Sequence, residues 1–118
     1  MTNDTRMNLR RVVIESPFAG DVEANLTYAR AAMADSLARG EAPIASHLLY
    51  MQPGILDDTK PDERTLGMEA GFIWGELAEA TVVYTDLGWS RGMDAGVRRA
   101  RDARRPIEYR SIDWNSVK

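Results

Sequence analysis

Four short runs of strand-forming residues, separated by three segments of helical period, constrain this chain more than any other feature of its sequence. Arg11-Val12-Val13-Ile14-Glu15-Ser16-Pro17-Phe18 contains a β-branched run stopped by proline, the pattern of a strand buried on both faces. Asp21 then suits the N-cap of a helix with Val22, Leu26, Ala29, Met33 and Leu37 inward and Gly40 at its end. Ala42-Pro43-Ile44-Ala45 reads as a second short strand, in which proline removes one ladder donor. Pro61 opens a second helix, with Asp62 and Glu63 near its positive end and Leu66, Ala70, Ile73 and Leu77 as the buried stripe. Thr81-Val82-Val83-Tyr84-Thr85 is the third strand. Ser90 caps a third helix with Met93, Val97 and Ala100 inward, and Pro106-Ile107-Glu108-Tyr109 is the fourth strand.

Strands that alternate with helices need crossover connections, which put parallel strands in one sheet with helices on both faces. The expected fold is α/β: a single Rossmann-like or flavodoxin-like three-layer domain with a parallel sheet of four to five strands in the order 2-1-3-4(-5). The 118 residues suffice for one domain and not for two separate cores. The expected layout is a flexible tail over 1–10, the domain over 11–110, and a tail over 111–118 whose Ile112 and Trp114 are candidates to dock on the domain or on a neighbouring subunit. Gly67, Gly71 and Gly75 recur every four residues. Each lowers helix propensity by up to about 1 kcal/mol, so sheet or a partner chain should approach that face closely.

Fifteen basic against eighteen acidic side chains give a net charge of −3, which argues against generic polyanion binding, so nucleic acid is not an expected partner. The arginines at 98, 99, 101, 104 and 105 read as a solvated face matched to the negative end of the third helix. Zero cysteines exclude a disulfide scaffold, thiolate metal sites and cysteine nucleophiles, with the cytoplasm as the expected compartment. His47 is the only histidine, which excludes sites built from several imidazoles; no metal and no cofactor are expected. No run approaches the ~18 apolar residues that span a bilayer, and the first ten lack the apolar middle of a secretory signal.

In open parallel sheets, ligands gather at the carboxyl ends of the strands where the winding reverses, here between the first and third strands. Glu15, Ser16, Pro17, Phe18 and Gly20, then His47, then Asp86, Ser90, Arg91 and Gly92 are delivered to that edge. Glu15 is costly to bury unpaired, so it either pairs with an arginine or faces a ligand. Asp86 is a possible partner carboxylate or a plain turn residue beside Gly88. Ser90-Arg91-Gly92 suits a phosphate or hydroxyl, or is an ordinary cap with a solvated arginine. Asp57, Asp58 and Arg64 are helix-entry charges or pocket lining, and the long stretch from Ser46 to Lys60 is a candidate binding loop.

Four segments in order resemble the nucleoside 2-deoxyribosyltransferase-like superfamily, most closely its small, poorly characterised phage and bacterial members. They are Glu15-Ser16-Pro17-Phe18 with Gly20 and Asn25; Pro43-Ile44-Ala45-Ser46-His47-Leu48-Leu49-Tyr50; Asp57-Asp58 with Glu63-Arg64 and Gly67; and Ser90-Arg91-Gly92-Met93. The resemblance implies a nucleoside or nucleotide ligand, chemistry at the N-glycosidic bond, and a homo-oligomer whose subunits share sites. It also implies that Phe18 and the segment around Gly20 face the base, that His47 and the Asp57-Asp58 loop close the site, and that Ser90 and Gly92 hold the sugar 5′ end or its phosphate. The family pattern Ser-x-Gly-x-x-x-Glu puts its glutamate where this chain has Gly96. Asp94 lies about 200° around the helix from that position and cannot simply stand in. Two outcomes follow: a binder that sequesters a nucleotide or nucleotide-derived signal, or an N-glycosidase or deoxyribosyltransferase with Glu15 or Asp86 as the relocated carboxylate.

Overall fold

A computed structural model describes residues 8–114. The elements, in chain order, are β1 (Arg10–Glu15), α1 (Val22–Ala38), β2 (Glu41–Ile44), α2 (Ser46–Leu49), α3 (Pro61–Gly75), β3 (Ala80–Tyr84), α4 (Arg91–Asp102) and β4 (Ile107–Arg110). The strands form one parallel sheet in the order β2-β1-β3-β4. Val13 lies opposite Ile44 on one side and Thr81 on the other, and Thr81 lies opposite Ile107. Pro43 sits on the edge strand β2, where a missing donor costs least. Much of the expected 1–10 tail lies outside the described residues, and Arg10 already belongs to β1. Among the described residues the sheet has no fifth strand, and no helix is long and apolar enough to cross a membrane.

Successive side chains of a strand point to opposite faces, and this alternation sorts the core. Val12, Ile14, Val82 and Tyr84 pack with Tyr28 and Ala32 of α1. Val83 packs with Met93 and Val97 of α4 on the other face, backed by Ile107. Glu15 is three residues from Val12 and therefore points toward α4.

Helix α3 turns a different face inward from the one expected, and α1 keeps only part of its expected face: Ala29 is buried and Met33 packs against the core. On α1 the buried positions are Asn25, Tyr28, Ala29, Ala32 and Ser36, while Val22 and Leu37 are exposed. The polar members are tolerated inside because each finds a partner: Asn25 Nδ2 donates to the carbonyls of Phe18 and Ala19, Tyr28 donates to Asp86, and Ser36 donates to Glu41. On α3 the expected stripe is at the surface: Leu66 is 59% and Ile73 62% exposed, as is Leu77 at 64%, which falls just past the end of the helix. The glycine row is the inward face instead. A Cβ on Gly75 would lie 3.3 Å from Val13 Cγ2, one on Gly71 2.8 Å from Ser46 Oγ, and one on Gly67 would overlap Met51 Cε. Close approach along this bare row brings neighbouring side chains into dispersion contact with the helix and turns the leucine and isoleucine row outward.

Charged side chains tie the sheet together. The Glu41 carboxylate accepts from Ser36 Oγ at 2.7 Å, from Arg110 Nη1 and Nη2 at 2.8 and 2.7 Å, and from Arg10 Nη2 at 2.8 Å. These bonds hold its carboxyl down at about 2, the Arg110 guanidinium contributing most. Arg105 departs from the expected solvated arginine face: its Nε donates to Thr81 Oγ1 at 2.9 Å and its Nη1 to the Gly75 carbonyl at 2.9 Å. It joins α3 to β3 where a surface position was expected.

Candidate functional site

The loops at the carboxyl end of the sheet enclose a cavity of about 280 Å³, near the ~300 Å³ lower end of small-molecule sites. Of the residues selected from the sequence, it is lined by Glu15, Ser16, Phe18, His47, Asp58, Arg64, Ser90, Arg91 and Gly92. The end of β1 and the segment after it deliver the first three, α2 delivers His47, α3 delivers Arg64, and the start of α4 delivers the last three. Gly20 and Asp57 line a neighbouring open groove of about 700 Å³, which shares Phe18, Ala19, Met51 and Asp58 with the cavity. Pro17 is buried and lines neither.

Ser16 and His47 form the polar centre of one wall, with Oγ and Nε2 2.9 Å apart. Burial pushes the imidazole down to about 4, so it is neutral near pH 7. The Phe18 ring meets the His47 ring edge-on, with centroids 6.1 Å apart. The Ser90 hydroxyl accepts from the Met93 backbone N–H at 3.2 Å and so caps α4, while Arg64 faces Asp58 at 3.8 Å.

Glu15 has the least expected environment. A methyl group on Gly96 would lie 2.6 Å from Glu15 Oε1 and closer still to Oε2. The carboxyl thus fills the space that a side chain at 96 would occupy. Glu15 is partly buried and borders the cavity. Burial drives its pKa up to about 8, opposed by the charge of Arg105. Among the described residues no side chain donates a hydrogen bond to it.

Asp86 is withdrawn from the site. It accepts from Tyr28 Oη at 2.6 Å, Ser111 Oγ at 2.6 Å, and the backbone N–H groups of Ile112 and Trp114 at 3.0 and 3.2 Å. These bonds hold its carboxyl far below the usual carboxylate range although burial pulls the other way. It clamps the C-terminal segment to the domain, where Trp114 packs edge-on against Tyr28 at 5.3 Å. Ile112 and Trp114 therefore dock on their own chain; residues 115–118 lie outside the described residues. Asp94 is bound to Arg98 one turn on.

Sequence reasoning missed Ala19, Met68 and Phe72 in the lining, named Ser46 and Met51 only as part of the 46–60 stretch, and read Gly67 as a close-approach position. Arg64, Met68 and Phe72 form a row at i, i+4, i+8, one step round from the glycine row. Since the glycines face inward, the row beside them borders the cavity, a signal that was present in the spacing.

Residues 10–110 match a family described as a domain of unknown function, DUF7768. The chain belongs to that family. A search of curated proteins finds no match. The DUF7768 match begins with β1 and ends with β4, so it includes every residue lining the cavity. Among the described residues of this DUF7768 domain no group of three or more His, Cys, Asp or Glu side chains is arranged to hold a metal ion.

Proposed function

We propose that the cavity holds the sugar-linked heterocycle of a nucleoside or nucleotide, as its resemblance to the deoxyribosyltransferase-like proteins implies. The observation that supports this reading is the convergence of residues from four separate loops on one small cavity. Phe18 and His47 offer an aromatic wall for a base. The start of α4 offers unpaired backbone N–H groups, and Ser90 and Arg91 add a hydroxyl and a guanidinium for the sugar 5′ end or its phosphate.

The absence of a side chain at Gly96 favours a binder that sequesters its ligand. The Glu15 carboxyl at that same point favours cleavage or exchange of the N-glycosidic bond, and this second reading accounts for more of the geometry. The exposed Leu66, Ile73 and Trp74 of α3, with Leu77 just beyond its end, are an apolar surface on which copies of the chain would associate.

Native mass spectrometry of the freshly purified protein, alone and with a panel of deoxynucleosides and their monophosphates, tests both parts. The expected spectrum contains multiples of the 13.2 kDa chain carrying one nucleoside or nucleotide per subunit. A folded protein that takes up no member of the panel would contradict the ligand class.

A further inference from the structure

We propose that Glu15 is the proton donor to the departing heterocycle and that Gly96 is the positioning residue that seats its carboxyl. This rests on the nucleoside reading above and adds to it the group that acts and the form in which it acts.

The argument begins with space. Gly96 is buried inside α4, and any side chain there would collide with the Glu15 carboxylate. Gly96 is thus a socket, and the strand-borne carboxyl is its content. The seat offers the carboxylate little compensation: Phe18, Met68 and Phe72 border the same cavity, and no side chain among the described residues donates a hydrogen bond to it. A carboxyl placed this way keeps its proton, which is what a general acid needs at neutral pH.

The charged and titratable groups around it do not reverse this. Arg105 favours ionisation from the same face of the sheet, while its Nε and Nη1 donate to Thr81 and Gly75. His47 is neutral, Arg64 faces Asp58, and Arg91 borders the cavity from the start of α4.

The step balances without an oxidant or cofactor. As the C1′–N bond breaks, its electron pair goes to the leaving nitrogen, and the Glu15 proton passes to a basic nitrogen of the heterocycle. The sugar carbon gains a water oxygen, and the proton that water releases returns to the Glu15 carboxylate. Nucleoside and water become free sugar and free base.

The test follows release of free base from the common 2′-deoxynucleosides and their 5′-monophosphates, with 4-nitrophenyl 2-deoxyriboside as a substrate whose leaving group needs no proton. Wild type is expected to release base at a rate that falls as pH rises through about 8. Glu15→Gln is expected to cut base release by about 100-fold or more, to keep binding by native mass spectrometry, and to leave nitrophenol release nearly unchanged. Gly96→Ala, whose methyl displaces the carboxyl, should reproduce that split, with circular dichroism showing a native fold. Equal losses on both kinds of leaving group, a rate that climbs through pH 8, or nucleoside bound by wild type without release would overturn the assignment to Glu15. Failure of wild type to bind any nucleoside or nucleotide would instead sink the reading of the cavity.

Discussion

Glu15→Gln is expected to make the domain more stable than wild type by roughly 4 kcal/mol at pH 9 and to change little below pH 4. The sign follows from proton linkage. Glu15 titrates near 4.5 when exposed and at about 8 in the folded chain, so the folded state binds the proton more tightly. Wild type has this contribution in full below pH 4.5 and loses it as pH rises through 8, at about 1.4 kcal/mol per unit. Glutamine fits the same space and cannot ionise. His47 acts in the opposite direction: its folded value of about 4 lies below the ordinary 6.5, so stability is lost as pH falls through that window. Between pH 4.5 and 6.5 the two slopes oppose each other and wild type should be at its most stable. Urea melts of both proteins from pH 4 to 9 check this. Parallel curves would show that Glu15 is not desolvated. A carboxyl that weakens the fold above neutral pH yet borders a cavity is the kind of cost that functional sites carry.

Glu41→Ala is expected to lower stability by about 3 kcal/mol, because it removes two of the bonds of a buried guanidinium and leaves it only the more exposed Glu108 as counter-charge. Arg110, with a side chain only 7% exposed, gives two bonds to Glu41 and one each to Tyr84 and Glu108. Ser36 loses its acceptor as well, and Arg10 keeps only Glu108. The same pairing makes the domain acid-sensitive. Glu41 is held at about 2 against an ordinary 4.5, so its contribution is present above pH 4.5 and is lost as pH falls toward 2. Denaturant melts at pH 7 read the first effect, and a variant as stable as wild type would show that the network contributes nothing.

The fold was legible because it rests on local pattern. Val12-Val13-Ile14 and Thr81-Val82-Val83-Tyr84 read as buried strands, the caps at Asp21 and Ser90 mark helix starts, and crossover geometry supplies the strand order. The inward face of α3 and part of that of α1 were not, because apolar periodicity assumes that the greasiest row turns inward. On α1, Asn25 and Ser36 win burial through hydrogen bonds to groups far away in sequence. On α3 three glycines win it by being small. The cavity was largely legible from topology, which fixes which loops meet. Residues on one strand-end could not be ranked that way: Glu15 and Asp86 looked alike until tertiary partners left the first without a donor and gave the second four.

The most direct test of the account follows the Glu15 carboxyl carbon by NMR in protein with labelled glutamate, across pH, with and without a saturating deoxynucleoside. A midpoint near 8 in the free protein that moves when the nucleoside binds is the predicted result. A midpoint near 4.5, or a resonance that ignores the nucleoside, would contradict it.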